Sequence, residues 1–192
     1  PSTTTTNLET NDMSDARNAI IPARHQPPLP DSIILAEAPQ EEHVPMDVVF
    51  VGGGPAGLAG AIELARLVRE GNERGDGPGA IEIAVLEKSE SLGEHCLSGA
   101  VVNPRAFREL FPDIDVKDLP FRRPVQDEAV HFMTATANWK IPTPPTMKNH
   151  GNYIASICEI VRWLGEKAEA AGVNIFTGFP AASLLVEGDR VA

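Results

Sequence analysis

Only two cysteines occur in the 192 residues, Cys96 and Cys158, and they stand 62 positions apart. Two thiolates are too few for a four-cysteine zinc or iron–sulfur site. With no other mark of secretion they are expected to stay reduced. Cations are scarce as well: 16 Lys and Arg against 27 Asp and Glu leave a net charge of −11. A nucleic-acid binder needs the opposite surplus to neutralise phosphate, which excludes nucleic acid as a partner. Anionic lipid attracts the same surplus, so any membrane contact has to be apolar. No uncharged apolar run reaches the length of a transmembrane helix. The N-terminus, which begins at Pro1, shows no basic segment followed by an apolar one. It is acidic where a mitochondrial transit peptide is rich in arginine. What is present, 42% hydrophobic residues over this length, supports one domain, or one domain and part of another.

Residues 1–46 hold seven of the 17 prolines, a threonine run from Thr3 to Thr6, and seven acids against two bases. Such a stretch buries too little to offset its ordering entropy and is expected to be a disordered acidic leader. From Asp47 the texture changes. Val48–Val51 reads as a strand buried on both faces, Pro55–Arg69 as a helix stopped at Gly71, and Ile81–Leu86 as a second strand ending at Glu87. Residues 47–87 therefore form one βαβ unit. Asn103-Pro104 opens a short helix towards Leu110. Residues 121–149 are expected to be irregular, with a strand at Ala129–Thr134. Tyr153–Ala171 reads as a long helix, with Ile154, Ile157, Val161, Leu164, Ala168 and Ala171 on one stripe and an Arg162–Glu166 pair beside it. Short strands are expected at Val173–Phe176 and Ser183–Val186, with a hairpin turn at residues 187–190.

Gly52-Gly53-Gly54-Pro55-Ala56-Gly57 satisfies G-x-G-x-x-G. The match follows a predicted strand, opens a predicted helix, and is answered by an acid at the end of the next strand, the context a dinucleotide site requires. Gly52 permits the tight turn, Gly54 close approach of a pyrophosphate, and Gly57 and Ala61 close packing of helix on sheet. Free N–H groups and the helix dipole favour the pyrophosphate charge. Glu87 would accept from the adenosine ribose hydroxyls, and its charge disfavours a ribose 2′-phosphate, so FAD or NAD is expected before NADP. Glu87 lies 30 residues after Gly57 rather than about 20, and the nine-residue loop Gly71–Gly79 accounts for most of the excess.

Three blocks carry a wider likeness. DVVFVGGGPAGLAGAIELARL, IAVLEKSESLGEHCLSGAVVNPRAFRELFPD and MKNHGNYIASICEIVRWLGEKAEAAGVNIFTGFPAASLL resemble the N-terminal part of the electron transfer flavoprotein–ubiquinone oxidoreductase family, over about residues 45–192. FixC-type and geranylgeranyl-reductase-like flavoproteins are broader relatives. The resemblance implies an α/β fold: a Rossmann-like FAD/NAD(P)-binding domain of the glutathione-reductase type, over 47–192 and incomplete. It also implies the start of an interleaved α+β quinone-binding domain, to which 107–149 would contribute. The implied reaction passes electrons from reduced electron transfer flavoprotein, through FAD and one [4Fe–4S] cluster, to ubiquinone. The cofactors carry that chemistry, so no catalytic side chain is expected.

Carried over position by position, Gly52, Gly54, Pro55, Ala56 and Gly57 match the pyrophosphate turn and Glu87 the ribose acid. Lys88 and Gly93 lie in the loop after it. Leu97, Ser98, Gly99 and Ala100 match a segment beside the flavin, and Pro180 and Ala181 a backbone stretch beside the adenine. Cys96 and Cys158 do not match cluster ligands, which in the family lie far downstream, so the sequence reads as a fragment that by itself holds no cluster and is inactive. The implied location is peripheral, on a bacterial cytoplasmic membrane or the matrix side of the mitochondrial inner membrane. Leu110, Phe111, Ile114, Val116, Leu119 and Phe121 share no helical or strand period, and two roles are open to them: a loop capping a core, or a monotopic membrane contact over 110–121. Two other functions fit the same motifs, a related flavoprotein with a different acceptor and a non-catalytic dinucleotide-binding module.

Overall fold

A computed structural model of the chain describes residues 33–35, 37, 43–187 and 190–191. Most of the expected leader, 1–46, lies outside the described residues. In chain order the elements are β1 (Ile34–Leu35), β2 (Val48–Val51), α1 (Pro55–Arg74), β3 (Ile83–Glu87), β4 (Ala100–Val102), α2 (Arg105–Leu110) and β5 (Phe121–Pro124). There follow β6 (Val130–Met133), β7 (Asn138–Ile141), β8 (Tyr153–Ala155), α3 (Ile157–Ala170), β9 (Asn174–Thr177), β10 (Leu184–Glu187) and β11 (Arg190–Val191). Two compact units share them, one from residues 40–181 and one from 1–39 with 182–192. In the latter, β1 runs parallel to β10, and β10 pairs antiparallel with β11 through Val186–Val191, which gives the expected hairpin.

The larger unit is built on the parallel sheet β2-β3-β9, with Val48 opposite Ile83 and Glu87 opposite Thr177. The β2–α1–β3 unit is the expected βαβ. Its core joins Leu58, Ala61 and Ile62 of α1, Ile83 and Val85 of β3, and Ile160, Val161, Leu164 and Ala168 of α3. Leu58, Val85 and Val161 are fully enclosed, each worth about 1.5–3 kcal/mol of burial. Glycines let the layers approach. A Cβ on Gly60 would stand 2.8 Å from Phe50 Cε1 of β2, and one on Gly165 would strike Leu92 Cδ1.

Several local expectations gave way to long-range contacts. α1 runs through Gly71 to Arg74, because the chain folds back over Gly71: Asp76 and Gly77 N–H both donate to its carbonyl, at 3.0 and 2.9 Å. The stop is Gly75, at φ 84°. β2 is not buried on both faces. Phe50 turns to α1, while Val49 and Val51 are exposed on the edge strand of the described sheet. Tyr153–Ala155 is strand, not helix, drawn into an antiparallel sheet between β4 and β5. Ile154 thus leaves the predicted stripe. Arg162 does not meet Glu166; its Nε donates to the Leu92 carbonyl at 3.4 Å. The stretch 121–149 is more ordered than expected: besides the strand expected at 129–134, which is β6, it contains β5 and β7, the latter paired with β6 in a hairpin.

Four of the six apolar side chains of 110–121 pack inward. Leu119 is buried, and Leu110, Phe111 and Phe121 pack against the core. Phe111 meets Trp163 edge-on with ring centroids 4.9 Å apart, and Phe121 meets Phe107 at 5.0 Å. Of the two roles open to this segment, these contacts are those of a loop capping a core. Five of the large exposed apolar side chains lie on and just after the β6–β7 hairpin: Phe132, Met133, Trp139, Ile141 and Met147, each at least 40% exposed. Among the described residues no helix is long and apolar enough to cross a membrane.

Candidate functional site

The C-terminal ends of β2 and β3 and the first turn of α1 meet at one place. Gly52 leaves β2 at φ 107°, a conformation open to glycine, and its N–H donates to the Leu86 carbonyl of β3 at 2.8 Å. Gly54 is the N-cap of α1, in extended conformation, and Pro55 takes the first helical position. Pro55 has no N–H, and the first satisfied helix donor is Leu58, bonded to the Gly54 carbonyl at 3.1 Å. Ala56 and Gly57 therefore supply the first-turn N–H groups that have no acceptor within the helix. A Cβ on Gly57 would run into the Gly52 carbonyl oxygen, whereas one on Gly54 would meet no protein atom within 4 Å. Gly57 thus lets the first turn of α1 close on the end of β2, the close helix–sheet approach expected of it, and Gly60 continues that approach against Phe50.

Glu87, at the end of β3, is tied to this turn. Its Oε2 accepts from Gly53 N–H at 2.9 Å, and its Oε1 from Ser89 N–H at 2.9 Å and Ser89 Oγ at 2.6 Å. Partial burial pushes the carboxyl up. The bonds from Ser89 and Gly53 and the nearby charge of His95 outweigh that and hold it below the ordinary value of 4.5. Because the folded value is depressed, the charged form contributes stability that is present above pH 4.5 and lost as pH falls through the folded value. Glu87→Gln is accordingly expected to flatten the fall in urea midpoint below pH 4.5 relative to the natural chain; parallel curves would contradict this assignment.

Gly53 and Ser89 were not among the residues picked out by pattern. Gly53 is the unconstrained x of the motif, yet a Cβ there would press on Leu92 Cδ2 at 2.7 Å and Glu87 Cβ at 3.0 Å. Ser89 is buried. A serine two residues after a carboxylate, free to bond it through both N–H and hydroxyl, was the available signal.

The remaining candidates divide. Ser89 O accepts from Gly178 N–H at 2.7 Å and Glu87 O from Phe179 N–H at 2.9 Å. The segment leading to Pro180 and Ala181, both exposed, thus starts beside Glu87. Lys88 is exposed next to the acid. Leu97 is 87% exposed, Ser98 and Gly99 are exposed, and Ala100 begins β4 opposite Ala155. Gly93 is buried against α3 rather than at the turn. An apolar groove of about 490 Å³ opens at Pro55, between Ala59, Val102, Phe107 and Leu164; its charged lining is Glu63 and Glu109, which would repel a pyrophosphate. The N–H groups of the turn suit that anion instead.

No family profile matches the chain. It is 40% identical over 149 residues to the mitochondrial electron transfer flavoprotein-ubiquinone oxidoreductase of Dictyostelium discoideum, an alignment that covers 78% of this chain and 24% of that protein. A probable electron transfer flavoprotein-ubiquinone oxidoreductase of Acinetobacter baylyi is 40% identical over 156 residues, covering 78% and 26%. The mitochondrial protein of Rattus norvegicus is 41% identical over 145 residues, covering 74% and 23%. The chain spans about a quarter of the length of these relatives. Among solved structures, a geranylgeranyl bacteriochlorophyll reductase-like protein from Thermoplasma acidophilum aligns with a TM-score of 0.49 at 20% identity, covering 77% of this chain and 33% of that one. CtdE in complex with FAD aligns at 0.41 and 19% identity, covering 69% and 30%.

Proposed function

Over about three quarters of its length the chain is a homologue of the electron transfer flavoprotein-ubiquinone oxidoreductases, and from that premise we propose that it forms most of an FAD-binding half of such an enzyme. The observation that carries the reading is the bond from Gly53 N–H to Glu87 Oε2. It fuses the glycine turn and the acid at the end of the next strand into one rigid cradle for an adenosine diphosphate. Ala56 and Gly57 N–H would take the pyrophosphate, helped by the positive end of α1. Glu87 Oε2, which carries one bond of its own against two on Oε1, keeps acceptor capacity for a ribose hydroxyl. Pro180 and Ala181 would flank the adenine, and Leu97 to Ala100 the flavin. FAD held in this cradle would supply the redox chemistry. In the whole protein the donor would be reduced electron transfer flavoprotein and the acceptor ubiquinone, with a [4Fe–4S] cluster whose ligands are not Cys96 or Cys158.

The reading is tested on the full chain by quenching of flavin fluorescence. FAD is expected to bind and FMN, which lacks the adenosine half, to bind at least about tenfold more weakly, a difference of about 1.4 kcal/mol; ADP displaces FAD. FMN binding as tightly as FAD, or FAD binding untouched by ADP, would sink it.

A quinone-reducing enzyme works at a membrane, and the exposed apolar side chains of the β6–β7 hairpin suit that contact, in place of 110–121. Phe132 and Trp139 stack across the hairpin at 6.1 Å, ready to enter an interface together. Replacing both by serine is expected to weaken partitioning onto uncharged liposomes by at least about tenfold, since burying one large apolar side chain is worth about 1.5–3 kcal/mol. Unchanged partitioning would remove the hairpin from the membrane.

A further inference from the structure

The loop after Glu87 is pinned to the first turns of α3. Arg162 Nε donates to the Leu92 carbonyl, and the Leu92 side chain occupies the space left by Gly165. Gly93 lies so close to Cys158 that a Cβ on it would come within 2.7 Å of the Cys158 carbonyl oxygen and 3.1 Å of its Cα. Cys96 N–H closes a turn onto the Gly93 carbonyl at 3.2 Å, and Cys158 Sγ donates to the Cys96 carbonyl at 3.1 Å. The two cysteines, 62 residues apart in sequence, therefore meet at one junction, both half-buried and both free thiols. Nothing in the dinucleotide site uses either of them.

A disulfide requires the two Cβ atoms about 3.5–4.5 Å apart, without large backbone movement. Here one thiol already touches the backbone of the other cysteine. Cys158 is fixed in a helix, while Cys96 lies in a loop that can adjust. We infer that Cys96 and Cys158 are an oxidation site, at which a peroxide joins them in an intrachain disulfide that locks the loop after β3 onto α3. In the first step the Cys158 sulfur attacks the peroxide: an S–O bond forms, the O–O bond breaks, and one water leaves. In the second, the Cys96 sulfur attacks that sulfur: the S–S bond forms, the S–O bond breaks, and a second water leaves with the Cys96 proton. Two electrons pass from the thiols to the peroxide. Burial, with the charges of Cys158 and Glu87, pushes the Cys96 thiol up, which suits the second, resolving role rather than the first.

The test uses the full chain, reduced, desalted and kept dilute. Limited hydrogen peroxide, alkylation and tryptic digestion are expected to consume both thiols together and to yield peptides 89–105 and 149–162 joined. The link should form at least about tenfold faster in native buffer than in concentrated guanidinium chloride, where only a flexible loop connects the thiols. Cys158→Ser should give no intrachain product. Links formed only between chains, thiols overoxidised without joining, or a native rate no greater than the denatured one would each overturn the inference.

Discussion

Replacing Gly57 by alanine is expected to lower the melting temperature of the chain by about 6 °C and to weaken FAD binding with it. The added methyl would run into the Gly52 carbonyl oxygen and stand 3.3 Å from the carbonyl carbon. Both are backbone atoms, and Gly52 is itself held by the bond of its N–H to Leu86. No rotamer change relieves the contact, so β2 and α1 have to separate. Overpacking of this kind costs about 3 kcal/mol, and the better helix propensity of alanine offsets at most about 1 kcal/mol. The net loss of about 2 kcal/mol corresponds to about 6 °C for a chain of this length. Binding suffers because the Ala56 and Gly57 donors move with the turn. A thermal melt followed by circular dichroism checks the first effect; an unchanged melt would mean that Gly57 does not close on Gly52.

What pattern could and could not reveal follows from the range of the forces involved. The β2–α1–β3 unit, the turn Gly52–Gly57 and Glu87 were legible because each depends on neighbours close in sequence: a β-branched run, glycines at fixed offsets, an acid closing the next strand. Gly71 misled because its local signal, a glycine after a helical stretch, is overridden by Gly77 folding back onto it. Tyr153–Ala155 continues the apolar spacing of α3, and only pairing with β4 and β5, 29 or more residues away, makes it strand. Pattern could not choose between the two roles open to 110–121 for the same reason: Phe111 has no local partner and finds Trp163 instead. Gly53 was missed because its role exists only once the two strands lie side by side, whereas the bond of Ser89 to Glu87 is local.

The contrast between two glycines of one motif gives the second large effect. Gly57 is required by the protein itself, but Gly54 is not: it has extended backbone geometry that any residue adopts, and a Cβ there meets no protein atom within 4 Å. A glycine placed where the fold does not demand it suits a ligand that approaches the backbone closely. Gly54→Ala should therefore leave the fold intact. Alanine is a poorer N-cap than glycine by about 0.5–1 kcal/mol, and the loss of unfolded-state freedom returns about 0.4–1 kcal/mol. A bound pyrophosphate would meet the new methyl directly, and a clash of about 2 kcal/mol weakens binding about 30-fold.

Titration of FAD into the natural chain and into Gly54→Ala, with the melting temperature of each, tests the dinucleotide site most directly. The site described here predicts melting temperatures within about 2 °C of each other and an affinity for FAD about 30-fold lower in the variant. Equal affinity for FAD in the two chains, or a variant that loses its fold, would contradict it.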